Sequence, residues 1–291
     1  MFHRLTLFNM TNEVSFAAID SVFNRLQTQA SVQNLSDDVS VMVHQWQWSS
    51  NDELVFLQLD TLLKEQSKQS QFDYVLQSAN KPIQKIKLAV FDMDSTLIQA
   101  EVMDELAYTK GIGPQVASIT ARSMAGELDF EQSFRKRLAL LEGFETSQLA
   151  AIKNSIKLMP GAEKLMKGLL SQGIYCVILS GGFSYFADAL ASQLGMQGAF
   201  SNGLEEVDGK LTGKVSGVIV DADRKVELME QLRTTLGLTL EQCLAVGDGA
   251  NDLPMLNKAG LGVAFHGKPL VRQQAPHQIN NLDLDALLYL V

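Results

Sequence analysis

From Lys85 onward, short apolar runs alternate with longer amphipathic stretches. Residues 86–91, 174–179, 244–246 and 261–265 are almost unbroken apolar runs, the pattern of strands covered on both faces. Gly173, Gly195, Gly237 and Gly260 fall where the intervening amphipathic stretches should stop, and 224–236 carries helical spacing. This alternation predicts an α/β fold, a doubly wound and mostly parallel sheet. The rhythm breaks between Leu97 and Met159. No strand pattern is present there, and 101–108, 129–141 and 146–156 read as helices. We expect a helical cap inserted at about 98–158, over the carboxyl ends of the strands where ligands bind in such sheets. Residues 204–218, with Asp208-Gly209 at the turn, predict a protruding β-hairpin.

The first 81 residues follow another pattern. Residues 5–8 read as a strand, and 13–28 place Val14, Phe16, Ile19, Val22, Phe23 and Leu26 at roughly helical intervals. Residues 39–43 and 54–59 read as two more strands, with a helix after Asp60. The β-α-β-β-α order predicts a small α+β domain over 1–81, joined to 82–291 by Asn80-Lys81-Pro82. The polar run 64–71 reads as helix surface or linker. The order is loosely similar to the ferredoxin-like regulatory ACT type, without its final strand. A docking or dimerisation module without a ligand is the reading we favour. Trp46 and Trp48 alternate with Gln45 and Gln47, so one face of a strand is aromatic. It is a packing or subunit surface, and a homodimer joined through it is one expectation.

Composition narrows the function. The chain has 291 residues, long enough for two domains or one large one, and 46% of them are hydrophobic, which suffices for a core. The net charge of −9 opposes general binding to nucleic acid or to an anionic membrane. A phosphorylated substrate would therefore need local cations. Cys176 and Cys243 lie in or beside apolar runs and read as buried free thiols. No apolar run approaches the roughly 18 residues of a membrane span, and a soluble, cytoplasmic chain is expected. His3, His44, His266 and His277 are scattered without metal-ligand spacing.

The chemistry gathers at predicted strand ends. Asp92 and Asp94 follow the 86–91 run, and in an extended chain residues i and i+2 point to one side. Two crowded carboxylates make sense if a cation lies between them or one keeps a proton. Ser180-Gly181-Gly182 follows the second run and offers a hydroxyl and free backbone N–H groups to phosphoryl oxygens. Lys225 lies near the start of the 224–236 helix. Gly247-Asp248-Gly249-Ala250-Asn251-Asp252 follows the third run, with Asp248 able to face a metal and Asp252 to support it. Taken singly, these are a capping aspartate, a turn, a surface lysine and a calcium-type loop. Their common order on matching strand ends is what carries the signal.

Asp92-Met93-Asp94-Ser95-Thr96, Ser180-Gly181-Gly182-Phe183, Lys225 and Gly247-Asp248-Gly249-Ala250-Asn251-Asp252 resemble the four motifs of the haloacid dehalogenase-like (HAD) phosphatases. The finer resemblance is to the phosphoserine phosphatases of that superfamily, from about Lys85 to the C-terminus. It adds Glu101, Phe130-Glu131-Gln132-Ser133-Phe134-Arg135-Lys136-Arg137 and Asp208-Gly209-Lys210-Leu211-Thr212-Gly213. No motif position departs from the pattern, and the N-terminal part is not covered.

The resemblance implies hydrolysis of O-phospho-L-serine to L-serine and phosphate, the last step of serine biosynthesis. Asp92 would be the nucleophile, forming an aspartyl-phosphate. Asp94 would protonate the leaving oxygen and then deprotonate water. Mg²⁺ would be held by the Asp92 carboxylate, the Asp94 backbone carbonyl and Asp248. Ser180, the Gly181 N–H and Lys225 would hold phosphoryl oxygens, with Asn251 ordering the site beside the substrate. Glu101 and Arg137, from the cap, would read the ammonium and carboxylate of the amino acid. Phe130 and Met124 would either shield the site or pack in a core. Elementary chemistry agrees: a phosphomonoester dianion repels a carboxylate, so a cation must offset the charge. Two other readings share the scaffold, a phosphotransferase to another hydroxyl such as that of homoserine, and a non-catalytic phospho-ligand sensor. A sensor has no need of an attacking carboxylate, so the Asp92/Asp94 pair disfavours it.

Overall fold

The computed structural model describes residues 2–9, 16–35, 42–49, 53–67, 72–79 and 84–291. The expected linker Asn80-Lys81-Pro82 lies outside the described residues. So do 13–15 of the expected first helix, 39–41 of an expected strand and 68–71 of the polar run.

The N-terminal part runs β1 (Phe2–Asn9), α1 (Phe16–Arg25), β2 (Ala30–Asn34), β3 (Met42–Ser49), α2 (Glu53–Gln66), β4 (Asp73–Gln77). Its strands pair antiparallel in the order β2-β3-β1-β4. This is a split β-α-β ferredoxin-like arrangement, with the final strand that sequence reasoning lacked supplied by β4. Two expectations fail here. Residues 54–59 are helix: Val55, Leu59 and Leu63 are buried at i, i+4 and i+8 of α2. A short apolar run fits either period, and tertiary burial selects the helical one. The strand expected over 39–43 is β3, which runs on to Ser49, while polar β2 was missed because an edge strand needs no buried face. Trp46 and Trp48 are 2% and 1% exposed and pack with Leu5, Leu7, Ile19, Phe23, Leu59 and Leu63. The aromatic face is this part's own core, covered by α1 and α2, so it does not join subunits.

The remainder is the expected α/β unit. Its elements are β5 (Leu88–Phe91), α3 (Val102–Lys110), α4 (Gly113–Met124), α5 (Phe130–Ala139), α6 (Leu149–Ser155), α7 (Ala162–Ser171), β6 (Tyr175–Phe183) and α8 (Ser184–Leu194). There follow β7 (Gly198–Val207), β8 (Lys210–Ser216), α9 (Ala222–Thr235), β9 (Cys243–Gly247), α10 (Leu253–Lys258), β10 (Leu261–Phe265), α11 (Pro269–Gln274) and β11 (His277–Ile279). Strands β11-β10-β9-β5-β6-β7 are parallel, and β8 closes the edge antiparallel to β7. Asp208 and Gly209 at the hairpin tip both have positive φ, as a two-residue turn requires. Helix α4 was not anticipated; α3 to α6 together form the cap. Because β5 lies between β6 and β9, the chain order reverses about β5, and the crevice beyond its carboxyl end is where ligands bind in open α/β sheets.

The two parts share one eleven-stranded sheet through β4 and β11, with Tyr74 paired to Gln278. Phe8, Val43 and Val75, on the sheet face away from α1 and α2, belong to the same apolar cluster as the C-terminal Leu287 and Leu290. The Phe8 and Tyr289 rings meet edge-on at 6.1 Å. Cys176 and Cys243 are free and buried, and burial pushes their thiols up to about 12 and about 11. Among the described residues no helix is long and apolar enough to cross a membrane.

Candidate active site

Three parallel strands deliver the acidic and hydroxyl groups. Asp92 follows β5, its N–H donating to the Val246 carbonyl of β9 at 2.9 Å. Ser180 lies within β6, and Asp248 follows β9. The Asp92, Asp248 and Asp252 carboxylates converge, with ligand oxygens within 4.8 Å of one another, and all three residues are buried. Such an all-oxygen anionic set suits a hard divalent cation. Asp252 is already engaged, accepting from Lys225 Nζ at 2.7 Å and from the Gly249 N–H at 2.9 Å. It therefore braces the cluster, while Asp248 Oδ2 meets Lys268 Nζ at 3.2 Å.

Lys225 is 0% exposed and reaches from α9 to Asp92 Oδ1 at 2.8 Å as well as to Asp252. Burial lowers its pKa, but Asp252 and Asp92 more than reverse this, so the ammonium holds its proton. Burial, then the charge of Asp92, pushes Asp248 up to about 7, with Lys268 opposing. Asp94 lies apart from the carboxylate cluster. Its Oδ1 accepts from the Val102 N–H at 2.9 Å, satisfying the first helical N–H of α3. Burial, followed by the charges of Asp92 and Glu101, raises its carboxyl well above the ordinary range, against the pull of the Val102 N–H and Lys225. The carboxyl is thus inclined toward its protonated form.

Ser180 Oγ accepts from the Gly182 N–H at 2.9 Å, which leaves its own proton to donate. A Cβ at Gly182 would lie 2.6 Å from Asp94 Oδ2 and 3.1 Å from Ser180 Oγ, so only glycine lets these strand ends approach. The Phe130 ring of the cap stands over Gly181: a Cβ there would meet Phe130 Cζ at 3.1 Å. Phe130 therefore covers the Ser180-Gly181-Gly182 turn while also packing on Phe134 at the edge of the core, so both expected readings apply to it. Met124 is 83% exposed and is not part of the core.

Glu101 sits at the start of α3, where Ser95 Oγ donates to its Oε1 at 3.0 Å. Arg137, on α5, has its pKa lowered by burial and raised by the charges of Asp104 and Glu101, so the two expected specificity residues face one electrostatic environment. Asn251 folds over Gly249, its Oδ1 lying 2.3 Å from where a Gly249 Cβ would be.

Three residues escaped sequence reasoning. Lys268 Nζ bridges Glu101 Oε1 and Asp248 Oδ2, each at 3.2 Å. Buried Asn202 donates from Nδ2 to the Gly181 carbonyl at 2.8 Å and accepts from the Val220 N–H at 2.8 Å, which shapes the serine turn. Asp104 adds a second carboxylate near Arg137. None stands in a motif; Lys268 had a signal only in following the 261–265 run, as the other site residues follow theirs.

Residues 86–260 match the haloacid dehalogenase-like hydrolase family. The chain is 48% identical over 205 residues to the phosphoserine phosphatase of Streptomyces coelicolor. That span is 70% of this chain and 50% of the relative, so the chain spans about half the relative's length. Among solved structures it is similar to a HAD family hydrolase of Salmonella enterica serovar Typhi, with a TM-score of 0.86 and 30% identity over 99% of this chain and 98% of that one. This likeness takes in the N-terminal part as well. A phospho-aspartyl intermediate analogue of a phosphoserine phosphatase aligns with a TM-score of 0.67 and 39% identity, over 72% of this chain and all of that one. With that match over 86–260 and with Asp92, Ser180, Lys225 and Asp248 gathered at the strand ends, the chain belongs to the haloacid dehalogenase-like hydrolases.

Proposed function

We propose that the chain hydrolyses O-phospho-L-serine to L-serine and phosphate, in the cytoplasm, as the last step of serine biosynthesis. The observation that carries this reading is the contrast between the two aspartates: Asp92 is salt-bridged to Lys225, and Asp94, two residues on, sits where burial and the charges of Asp92 and Glu101 raise its carboxyl well above the ordinary range. The similarity to phosphoserine phosphatases supports the substrate.

Lys225 holds Asp92 Oδ1 and so orients the carboxylate, leaving Oδ2 to attack phosphorus. As the Asp92 oxygen–phosphorus bond forms, the bond from phosphorus to the serine oxygen breaks, and Asp94 gives its proton to that oxygen. Asp94, now a carboxylate, takes a proton from a water. The hydroxide oxygen bonds to phosphorus, and the Asp92 oxygen leaves with its electron pair, restoring the Asp92 carboxylate and the protonated Asp94 carboxyl with phosphate released. The Ser180 hydroxyl, the Gly181 N–H and Lys225 hold the equatorial oxygens. Glu101 receives the substrate ammonium and Arg137 its carboxylate, a pairing to which the guanidinium fork is suited. Asn251 orders the edge of the site. The Asp92 and Asp248 carboxylates and the Asp94 backbone carbonyl would hold Mg²⁺, which fits the all-oxygen set and when bound offsets charge between substrate and nucleophile.

The test is phosphate release from phosphoserine with Mg²⁺ and with chelator, alongside trapping of the phosphoenzyme. Wild type should be labelled and Asp92→Asn should be folded, unlabelled and inactive. Undiminished hydrolysis by Asp92→Asn would sink the covalent route, and phosphate recovered on an added acceptor alcohol instead of in solution would indicate a transferase.

A further inference from the structure

No proposed reacting group comes from the N-terminal part, yet a continuous series of contacts runs from it to the active site. Asp73, at the start of β4, is 3% exposed. Its carboxylate accepts from the N–H groups of Asn280, Asn281 and Leu282 at 2.9, 2.8 and 3.1 Å, and from Asn281 Nδ2 at 3.1 Å. A carboxylate filling a nest of consecutive N–H groups is a strong, charge-assisted tie. The Leu282 carbonyl accepts from His266 Nε2 at 2.9 Å, and the His266 N–H donates to Ile279 at 2.8 Å. His266 has a φ of 46°, a left-handed conformation that non-glycine residues hold only when contacts around them require it. Two residues on, the Lys268 N–H donates to the Asp248 carbonyl at 3.0 Å, and its Nζ reaches Asp248 Oδ2 and Glu101 Oε1.

We infer that the N-terminal part positions the ammonium-binding side of the active site. Asp73 holds the 280–282 turn, the Leu282 carbonyl holds His266 in its left-handed conformation, and His266 sets the approach of Lys268 to Asp248 and Glu101. Asp73 and His266 are positioning residues. Asp73 is 207 residues from Asn280 in the chain and Lys268 is 167 from Glu101, so each of these links is tertiary. The kinetic consequence rests on the proposed phosphoserine activity; the structural consequence does not.

The experiment uses the full chain with Asp73→Asn, His266→Asn, Lys268→Met and the double variant Asp73→Asn/Lys268→Met. Asp73→Asn keeps shape but turns an N–H donor toward the nest, and His266→Asn tolerates positive φ but cannot reach Leu282. Each is read by steady-state kinetics on phosphoserine and by amide hydrogen exchange of residues 264–268. Asp73→Asn and His266→Asn should each raise KM about three- to tenfold, leave kcat within about twofold, and speed exchange at 264–268. The double variant should be no worse than Lys268→Met, because both act through one contact. If Asp73→Asn does not fold, His266→Asn, which leaves the nest intact, carries the same comparison. A lowered melting midpoint with unchanged KM and unchanged exchange at 264–268 would overturn the inference, as would multiplicative effects in the double variant. If wild type does not hydrolyse phosphoserine, the functional reading fails, and exchange at 264–268 alone decides the positioning role.

Discussion

Lys225 and Asp92, 133 residues apart in the chain, meet at 2.8 Å in a buried ion pair that Asp252 completes from the other side. One ammonium compensates two buried carboxylates, with Asp248 close by. Removing it strands both charges, a loss of about 3–5 kcal/mol for a broken buried pair. Lys225→Met should therefore lower stability most near neutral pH in chelator, and Mg²⁺ or mild acid should restore part of it. Urea denaturation of both proteins, with and without Mg²⁺, reads this directly. Equal stability of variant and wild type in chelator would show the carboxylates are compensated elsewhere.

Asp94→Asn should act on chemistry more than on binding, because in the proposed route its proton is used in the transition state. A positioned acid contributes on the order of 10²–10⁴-fold, and kcat for phosphoserine should fall in that range. The aryloxide of an aryl phosphate leaves without protonation, so that substrate should lose much less. Equal losses on both substrates would rule out Asp94 as the acid.

Arg137→Ala should weaken discrimination for phosphoserine over a phosphate ester without a carboxylate. A charge-assisted pair is worth about 1.5–3 kcal/mol, or about one to two decades in kcat/KM. Parallel losses on the two esters would mean Arg137 serves the packing of α5.

Mg²⁺ should stabilise the protein more in base than in acid. Asp248 is raised from the ordinary carboxylate range to about 7, so the folded chain keeps a proton there that the unfolded chain has lost. The stability from this group is present at low pH and falls as pH rises from about 4 toward 7. Mg²⁺ held as proposed would bind the deprotonated form and relieve the repulsion it leaves. Melting midpoints with Mg²⁺ and with chelator should differ little at about pH 5 and clearly at about pH 8. The same Mg²⁺ shift at both values would separate Asp248 from the metal.

What could be read along the chain was whatever depends on near neighbours. The apolar runs at 86–91, 174–179, 244–246 and 261–265 marked β5, β6, β9 and β10 because a strand buried on both faces has a nearly uninterrupted apolar signature. Asp92, Asp94, Ser180, Gly181 and Asp248 were legible because each follows such a run within a few residues. Where a local signal fitted two periods, as at 54–59, burial of Val55, Leu59 and Leu63 made the choice. The rest needed topology. Lys225 and Asp252 were picked out only through the common order of the motifs; taken singly they read as surface charges until β5, β9 and α9 bring them together with Asp92. Lys268 looks like any lysine before a proline until β10 places it between Asp248 and Glu101. Trp46 and Trp48 cannot be told from an exposed aromatic face until α1 and α2 cover them. Asp73 is a polar residue at the head of a short strand until pairing of β4 with β11 sets three distant N–H groups around it. Apolar periodicity is written into every few residues, whereas a partner for a buried charge is supplied only when the folded chain returns from far along its length.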